Sequence, residues 1–185
     1  MSVLSLVKNV FPPPHFMTFP CVGVDISDTS LKYVQFEQTH PHDEYLKLTK
    51  WGDIEVPQGI VERGNVHDVA KLTAVLVQMK EQSGAKYVNR SLPEERAYLF
   101  ETTLPIQTPR NDIRGLLEFR LEENVPLSPR DAYFDYTIVS EDAESRTMHV
   151  AVAVYAQSTI NSYYEACTKA GLVPFSFEIE AQAIA

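Results

Sequence analysis

In the stretch VGVDISDTSLK, the side chains of Asp25, Ser27, Asp28, Thr29, Ser30 and Lys32 place carboxylates, hydroxyls and an ammonium close together. Such a set can face a phosphate. Turn amides and hydroxyls donate hydrogen bonds, Lys32 offers a point charge, and Asp25 can hold a hydrated magnesium ion. The same residue types are also ordinary turn formers, because Asp, Ser and Thr bond their own backbone in tight bends. On these residues alone both readings stand, and both need the stretch to be the bend of a hairpin.

The flanking sequence supplies that hairpin. CVGVD is a short apolar run ending in an acid, and Leu31, Tyr33, Val34 and Phe36 give a β-rich second strand. YLKLTKWGDIEV, from Tyr45 to Val56, alternates well enough for a third antiparallel strand, with Gln38 to Glu44 as the turn before it. No other stretch offers comparable chemistry. His40 and His42 lie in a polar loop around Pro41 without a ligand set. Cys21 and Cys167 stand apart from any metal spacing and read as buried thiols of a reducing compartment. No nucleophile, histidine and acid arrangement is present, and Glu178 and Glu180 are accounted for by strand-end and helix-start positions.

The chain has 185 residues, 44% of them hydrophobic, enough for one ordinary domain or two small subdomains. Lysine and arginine number 16 against 25 acids, a formal charge of −9, which disfavours nucleic acid and direct attraction to anionic lipid. No run has the length of a transmembrane helix and the N-terminus lacks a secretory signal, so a cytoplasmic chain is expected. In MSVLSLVKNVF, Val3, Leu4, Val7, Val10 and Phe11 share one face of a short helix, stopped by Pro12, Pro13 and Pro14.

Further along, Asn65 to Gly84 reads as a helix capped by Asn65, with Asp68 at the capping-box position and a stripe of Val66, Val69, Leu72, Leu76 and Met79. Lys86 to Leu92 reads as a strand ended by Pro93. Ala97 to Leu104 is a strand, after which Thr108 caps and Pro109 opens a helix with Ile113, Leu116, Leu117 and Leu121 on one side. Arg114, Glu118 and Glu122 form its solvated ladder. Ala132 to Val139 and Met148 to Tyr155 are two strands around an acidic turn at Glu141 to Glu144. Ser158 to Gly171 is a helix with Ile160, Tyr164 and Cys167 on one side and a glycine stop. Pro174 to Ile179 is a strand, and Glu180 to Ala185 begins a helix, which favours the front part of a longer chain.

Strands, a helix, a strand, an inserted unit, then helix, strand and helix start is the order of the first half of the actin-like ATPase fold. The segments VGVDISDTSLKYVQF, SLPEERAYLFETTLP, LLEFRLEENVPLSPRDAYFDYTIV and YYEACTKAGLVPFSFEIEAQAIA resemble the PilM family of actin-like type IV pilus assembly proteins, and FtsA and the cytoplasmic part of GspL are similar but more distant. The resemblance implies an α/β class: the first lobe of an actin-like (ribonuclease H-like) ATPase fold with an inserted strand-helix-strand-strand subdomain. It implies an N-terminal tail over 1–20, a main subdomain over 21–92 and 157–185, and an insert over 93–156, with the second lobe beyond this chain. ATP with magnesium is implied only with that lobe present, held here by Asp25, Ser27, Asp28, Thr29, Ser30 and Lys32, with Asp25 toward the metal. Ser27 stands where the family pattern has glycine, and its side chain would crowd a backbone approach to phosphate.

The family's other activity is to bind the cytoplasmic tail of PilN, a membrane partner. That implies a junction here at Ser91, Leu92 and Pro93, with Tyr98, Phe100, Phe134 and Tyr136 lining either that groove or the insert's own core. The expected role is a cytoplasmic scaffold, peripheral to the inner membrane, touching the membrane only through its partner, binding other pilus assembly proteins and open to homo-oligomerisation. The rivals are a phosphotransferase of the actin and sugar-kinase superfamily, and an FtsA-like polymer-forming protein on lipid.

Overall fold

The computed structural model describes residues 21–37 and 46–179. The expectations for the N-terminal stub, the turn from Gln38 to Glu44 and the final helix start lie outside those residues. The chain forms two units, one built from residues up to Pro93 and from Tyr163 onward, the other from Glu94–Ser162.

The first unit is a five-stranded sheet. Strands β1 (Cys21–Ile26), β2 (Ser30–Glu37) and β3 (Lys47–Glu55) are antiparallel neighbours, while β6 (Tyr87–Leu92) and β10 (Val173–Ile179) extend the sheet in parallel on the other side of β1, giving the order β10-β6-β1-β2-β3. Alternation decides which face is covered. Val22, Val24 and Ile26 of β1, Leu31 and Tyr33 of β2, and Val88 and Leu92 of β6 point to one buried side. Helix α1 (Val69–Ser83) brings Leu72, Val75, Leu76 and Met79 to the same core, and Tyr163, Ala166 and Cys167 of helix α3 (Gln157–Lys169) complete it.

Two sequence expectations are corrected in this unit. Helix α1 starts later than expected because Asn65 is not its cap. Instead β5 (Asn65–Val66) pairs with β4 (Val61–Glu62) across Arg63 and Gly64, both at positive φ, the conformation that a two-residue hairpin requires. Asp68 caps the helix itself, its Oδ1 accepting the Lys71 N–H at 2.9 Å. In α3 the stripe turns by one residue: Tyr163 is buried and Tyr164 is 52% exposed, while Ile160 is half-buried.

Gly171 ends the α3 region at φ 71, and a Cβ there would lie 2.7 Å from Lys80 Nζ, which donates to the Gly171 carbonyl. Gly171→Val therefore combines left-handed strain with displacement of Lys80. It should cost about 2 kcal/mol, read as a lowered melting temperature, and an unchanged melting temperature would refute this role.

Both cysteines are free; Cys167 is buried, whereas Cys21 is only half-buried, contrary to expectation. Burial raises the Cys167 thiol from 9.0 to about 11, against a weaker lowering by Arg90. Its folded pKa lies above the unfolded one, so this contribution is full below pH 9 and is lost as the pH rises through about 11. The stability of the protein should fall by up to about 3 kcal/mol across that window, and Cys167→Ala should flatten this part of the profile. Superimposable profiles would contradict the assignment.

The second unit is a three-stranded antiparallel sheet, β7 (Tyr98–Pro105), β9 (Thr147–Ala156) and β8 (Ala132–Asp142), in the order β7-β9-β8, with helix α2 (Arg110–Asn124) packed on one face. Ile113, Leu117 and Leu121 of α2 meet Leu104, Phe134, Val150, Val152 and Val154. Leu116, expected on that side, is exposed. Pro109 takes the cap position and no side chain caps α2: the Thr108 N–H turns back to the Pro105 carbonyl at 3.0 Å, so Thr108 lies before the cap rather than at it. Of the expected ladder, Arg114 and Glu118 approach to 4.0 Å, both exposed.

Candidate functional site

The bend between β1 and β2 is closed by its own hydroxyls. Ser27 N–H donates to the Ser30 carbonyl at 2.9 Å, the Ser30 N–H donates to Ser27 Oγ at 3.1 Å, and the two hydroxyls lie 3.3 Å apart. Ser27, which replaces the glycine of the phosphate-loop pattern, thus has its side chain and its amide engaged within the turn. The Thr29 carbonyl accepts from Val56 N–H at 2.9 Å, tying the tip to the end of β3. Asp28 accepts the Arg63 N–H at 2.9 Å, which fastens the β4-β5 hairpin to the bend. Ser27, Asp28 and Thr29 are exposed.

Asp25 and Lys32 are directly opposed in the β1-β2 register, so both side chains stand on the face of the sheet away from the buried core. Lys32 is exposed. Asp25 is half-buried and accepts a hydrogen bond from Ser91 Oγ at 2.6 Å. Parallel pairing of β6 with β1 brings Ser91 there from a position far along the chain. Among the described residues no three His, Cys, Asp or Glu side chains converge into a metal-binding group. A magnesium ion commonly takes one or two protein carboxylates and completes its shell with water and phosphate oxygens. Asp25 supplies one such carboxylate, the Lys32 ammonium is a charge for phosphate rather than a metal ligand, and the Ser27 and Ser30 hydroxyls are already engaged with each other.

One residue on the buried face was missed by sequence reasoning. Arg90 of β6 is 1% exposed, and among the described residues its three guanidinium nitrogens have no hydrogen-bond acceptor. Its charge is instead stacked on the Tyr163 ring, 3.3 Å from guanidinium carbon to ring centroid, and the Tyr163 hydroxyl donates to the Gly64 carbonyl at 3.0 Å. Burial pushes the guanidinium below its ordinary pKa, opposed chiefly by the Tyr163 and Cys167 groups. The available signal was alternation: in YVNRSL, Arg90 shares the parity of the apolar Val88 and Leu92.

The residues proposed to line a partner groove divide. Leu92 is buried and registers against Ile179, and Pro93 is half-buried. In the second unit Phe100, Phe134 and Tyr136 face α2, because they share the parity of the core positions. Phe134 is 8% exposed under the Arg114 guanidinium, and Phe100 and Tyr136 pack against the same cluster. The reading of these three as groove lining gives way to core. Tyr98, 39% exposed, is the aromatic of the set that keeps a substantial open surface.

The family model described as type IV pilus assembly protein PilM matches residues 23–185. The chain belongs to the PilM family. Among curated proteins none matches it in sequence. A solved structure described as the PilM-PilN type IV pilus biogenesis complex is similar in fold, with a TM-score of 0.78 and 21% identity over 89% of this chain and 48% of that one. The cytoplasmic domain of EpsL, an inner membrane component of the type II secretion system of Vibrio cholerae, is similar at a TM-score of 0.58, with 10% identity over 85% of this chain and 56% of the other. The chain thus spans about half the length of each of these structures. With the PilM family established, the fold is α/β of the actin-like type, with the strand-helix-strand-strand unit inserted between β6 and α3.

Proposed function

We propose that this chain is the tail-capturing lobe of a cytoplasmic pilus assembly scaffold, holding the cytoplasmic tail of a PilN-like inner-membrane protein. The family match over 23–185 carries the reading, and the likeness to a PilM solved with PilN supports the choice of partner. Ser91, Pro93 and Tyr98 are the first residues to test, because each keeps some open surface within its own unit. The acidic charge of −9 favours membrane association through the partner rather than through anionic lipid, and no described helix is long and apolar enough to cross a bilayer.

With a second lobe present, we propose that Asp25 and Lys32 face the phosphates and magnesium of ATP from this side of the cleft, with Ser27, Asp28, Thr29 and Ser30 forming the rim. The engaged Ser27 and Ser30 groups leave this bend fewer donors for phosphate than an open glycine loop has. The role is capture rather than turnover.

Co-expression tests the proposal. The chain should co-purify, in mild detergent, with the PilN-like protein encoded beside it, and the association should be lost when that protein's cytoplasmic tail is deleted. Elution of the two proteins apart, or association that survives tail deletion, would overturn it.

A further inference from the structure

Helices α1 and α3 cover one face of the first unit's sheet, and the strand register shows what stands on the other. Next to the β1-β2 bend that second face carries Asp25, Lys32 and Asp53, facing one another across β1, β2 and β3. Its far end is apolar. There Gly23 faces Val34, Val34 faces Trp51 and Phe36 faces Leu48, and antiparallel partners at facing positions share a side of the sheet. Phe36 keeps the parity of Val34, so the register shift after Gln35 leaves Leu48 on this side too. Val34, Phe36, Leu48 and Trp51 are all exposed, Trp51 to 71%. Gly23 adds no side chain beside Val34, whose Cγ2 would lie 3.4 Å from a Cβ there, so the patch has a shallow floor. A contiguous apolar patch of this kind marks a docking surface.

The course of the chain selects the occupant. β1 runs from the apolar end of this face to the polar end, so residues 1–20 join the sheet at Cys21, beside the patch. They lie outside the described residues, but their sequence fits the site. As a helix, MSVLSLVKNVF sets Val3, Leu4, Val7, Val10 and Phe11 on one side over about 16 Å, close to the roughly 14 Å breadth of three strands. Residues 12–20, with Pro12, Pro13, Pro14 and Pro20, reach up to about 28 Å when extended, enough to cross to β3 and turn back. So short a helix is marginal alone in water and needs an apolar surface. Tethering favours its own chain: a short linker gives an effective concentration in the millimolar range, which a second copy at micromolar concentration does not match. Anionic lipid is the poorer surface, because Lys8 is the segment's single charged side chain and the chain carries −9.

We propose that residues 1–11 dock as a helix on the apolar end of this face, their apolar stripe covering Val34, Phe36, Leu48 and Trp51. The proline-rich residues 12–20 form the strap that leads from the helix into β1. The surface belongs to the chain's own N-terminal segment and goes beyond the tail-capture reading.

Trp51 is the single tryptophan of the chain, so its fluorescence reports on the patch directly. In the 185-residue protein its emission should be blue-shifted and poorly quenched by acrylamide. Val7→Glu combined with Val10→Glu, which puts charge into the stripe, should shift the emission to the red and raise the quenching. Hydrogen exchange should show protected amides within residues 4–11 of the unaltered chain, lost in the double variant, and neither signal should depend on protein concentration. Four results would overturn the proposal: identical Trp51 emission and quenching in the two proteins without protection of those amides; a Trp51 signal that vanishes on dilution together with a dimer in sedimentation, which would give the patch to a second copy; protection that appears only with vesicles of anionic lipid, which would assign the segment to a membrane; or, in protein extended through the second lobe, a Trp51 equally shielded with and without the double substitution, which would give the patch to the later part of the chain. Exchange on the unaltered protein needs no variant and decides the matter if the double substitution fails to fold.

Discussion

Tyr163→Ala should lower the unfolding free energy by about 5 kcal/mol, the largest stability loss expected from a single change in the first unit. The ring is fully buried. Its removal opens a large cavity, leaves the Gly64 carbonyl without its donor, and strips the stacked ring from a buried guanidinium. Tyr163→Phe separates these effects. It keeps the ring over Arg90 and loses only the hydroxyl, so it should cost about 1–2 kcal/mol. Urea unfolding of both variants makes the comparison. Equal losses would place the importance of Tyr163 in its hydroxyl and would contradict the stacking account.

Asp25→Ala should weaken ATP binding by roughly tenfold to a hundredfold, measured by titration on protein extended through the second lobe, with the melting temperature little changed. The carboxylate stands on the open face of the sheet, and its visible partner is one serine hydroxyl, which can turn to the Val24 carbonyl at 3.5 Å instead. Unchanged affinity would remove Asp25 from the phosphate-facing set. Ser27→Gly provides the opposing case. If the Ser27 hydroxyl closes the bend against phosphate, the glycine variant should bind nucleotide more tightly than the parent.

Much of this could be read along the chain, and the exceptions share one cause. The β1-β2 hairpin was legible because two apolar runs bracket a polar bend, a pattern contained in neighbouring residues. Helices α1, α2 and α3 were legible from their apolar periodicity, although the caps of α1 and α2 were not. The structure gives Asn65 to a two-residue strand, and only the pairing with Val61–Glu62 reveals that. Long-range pairing also explains what the site concealed. Asp25 meets Ser91 because β6 lies parallel to β1, and nothing near either residue announces the contact. Arg90 drew no reading from the sequence, yet the parity it shares with Val88 and Leu92 turns it inward. Phe100, Phe134 and Tyr136 were open to two readings until the packing of α2 fixed which face of β7 and β8 is covered.

The central claim is capture of a membrane partner's tail by this lobe. It is tested most directly by fluorescence anisotropy of a labelled peptide from the cytoplasmic tail of the adjacent PilN-like protein, titrated with the 185-residue chain. The account predicts saturable binding that weakens at least about tenfold in a Tyr98→Ala variant of unaltered melting temperature. No saturation up to high protein concentration, or saturation indifferent to Tyr98 and to substitutions at Ser91 and Pro93, would contradict it.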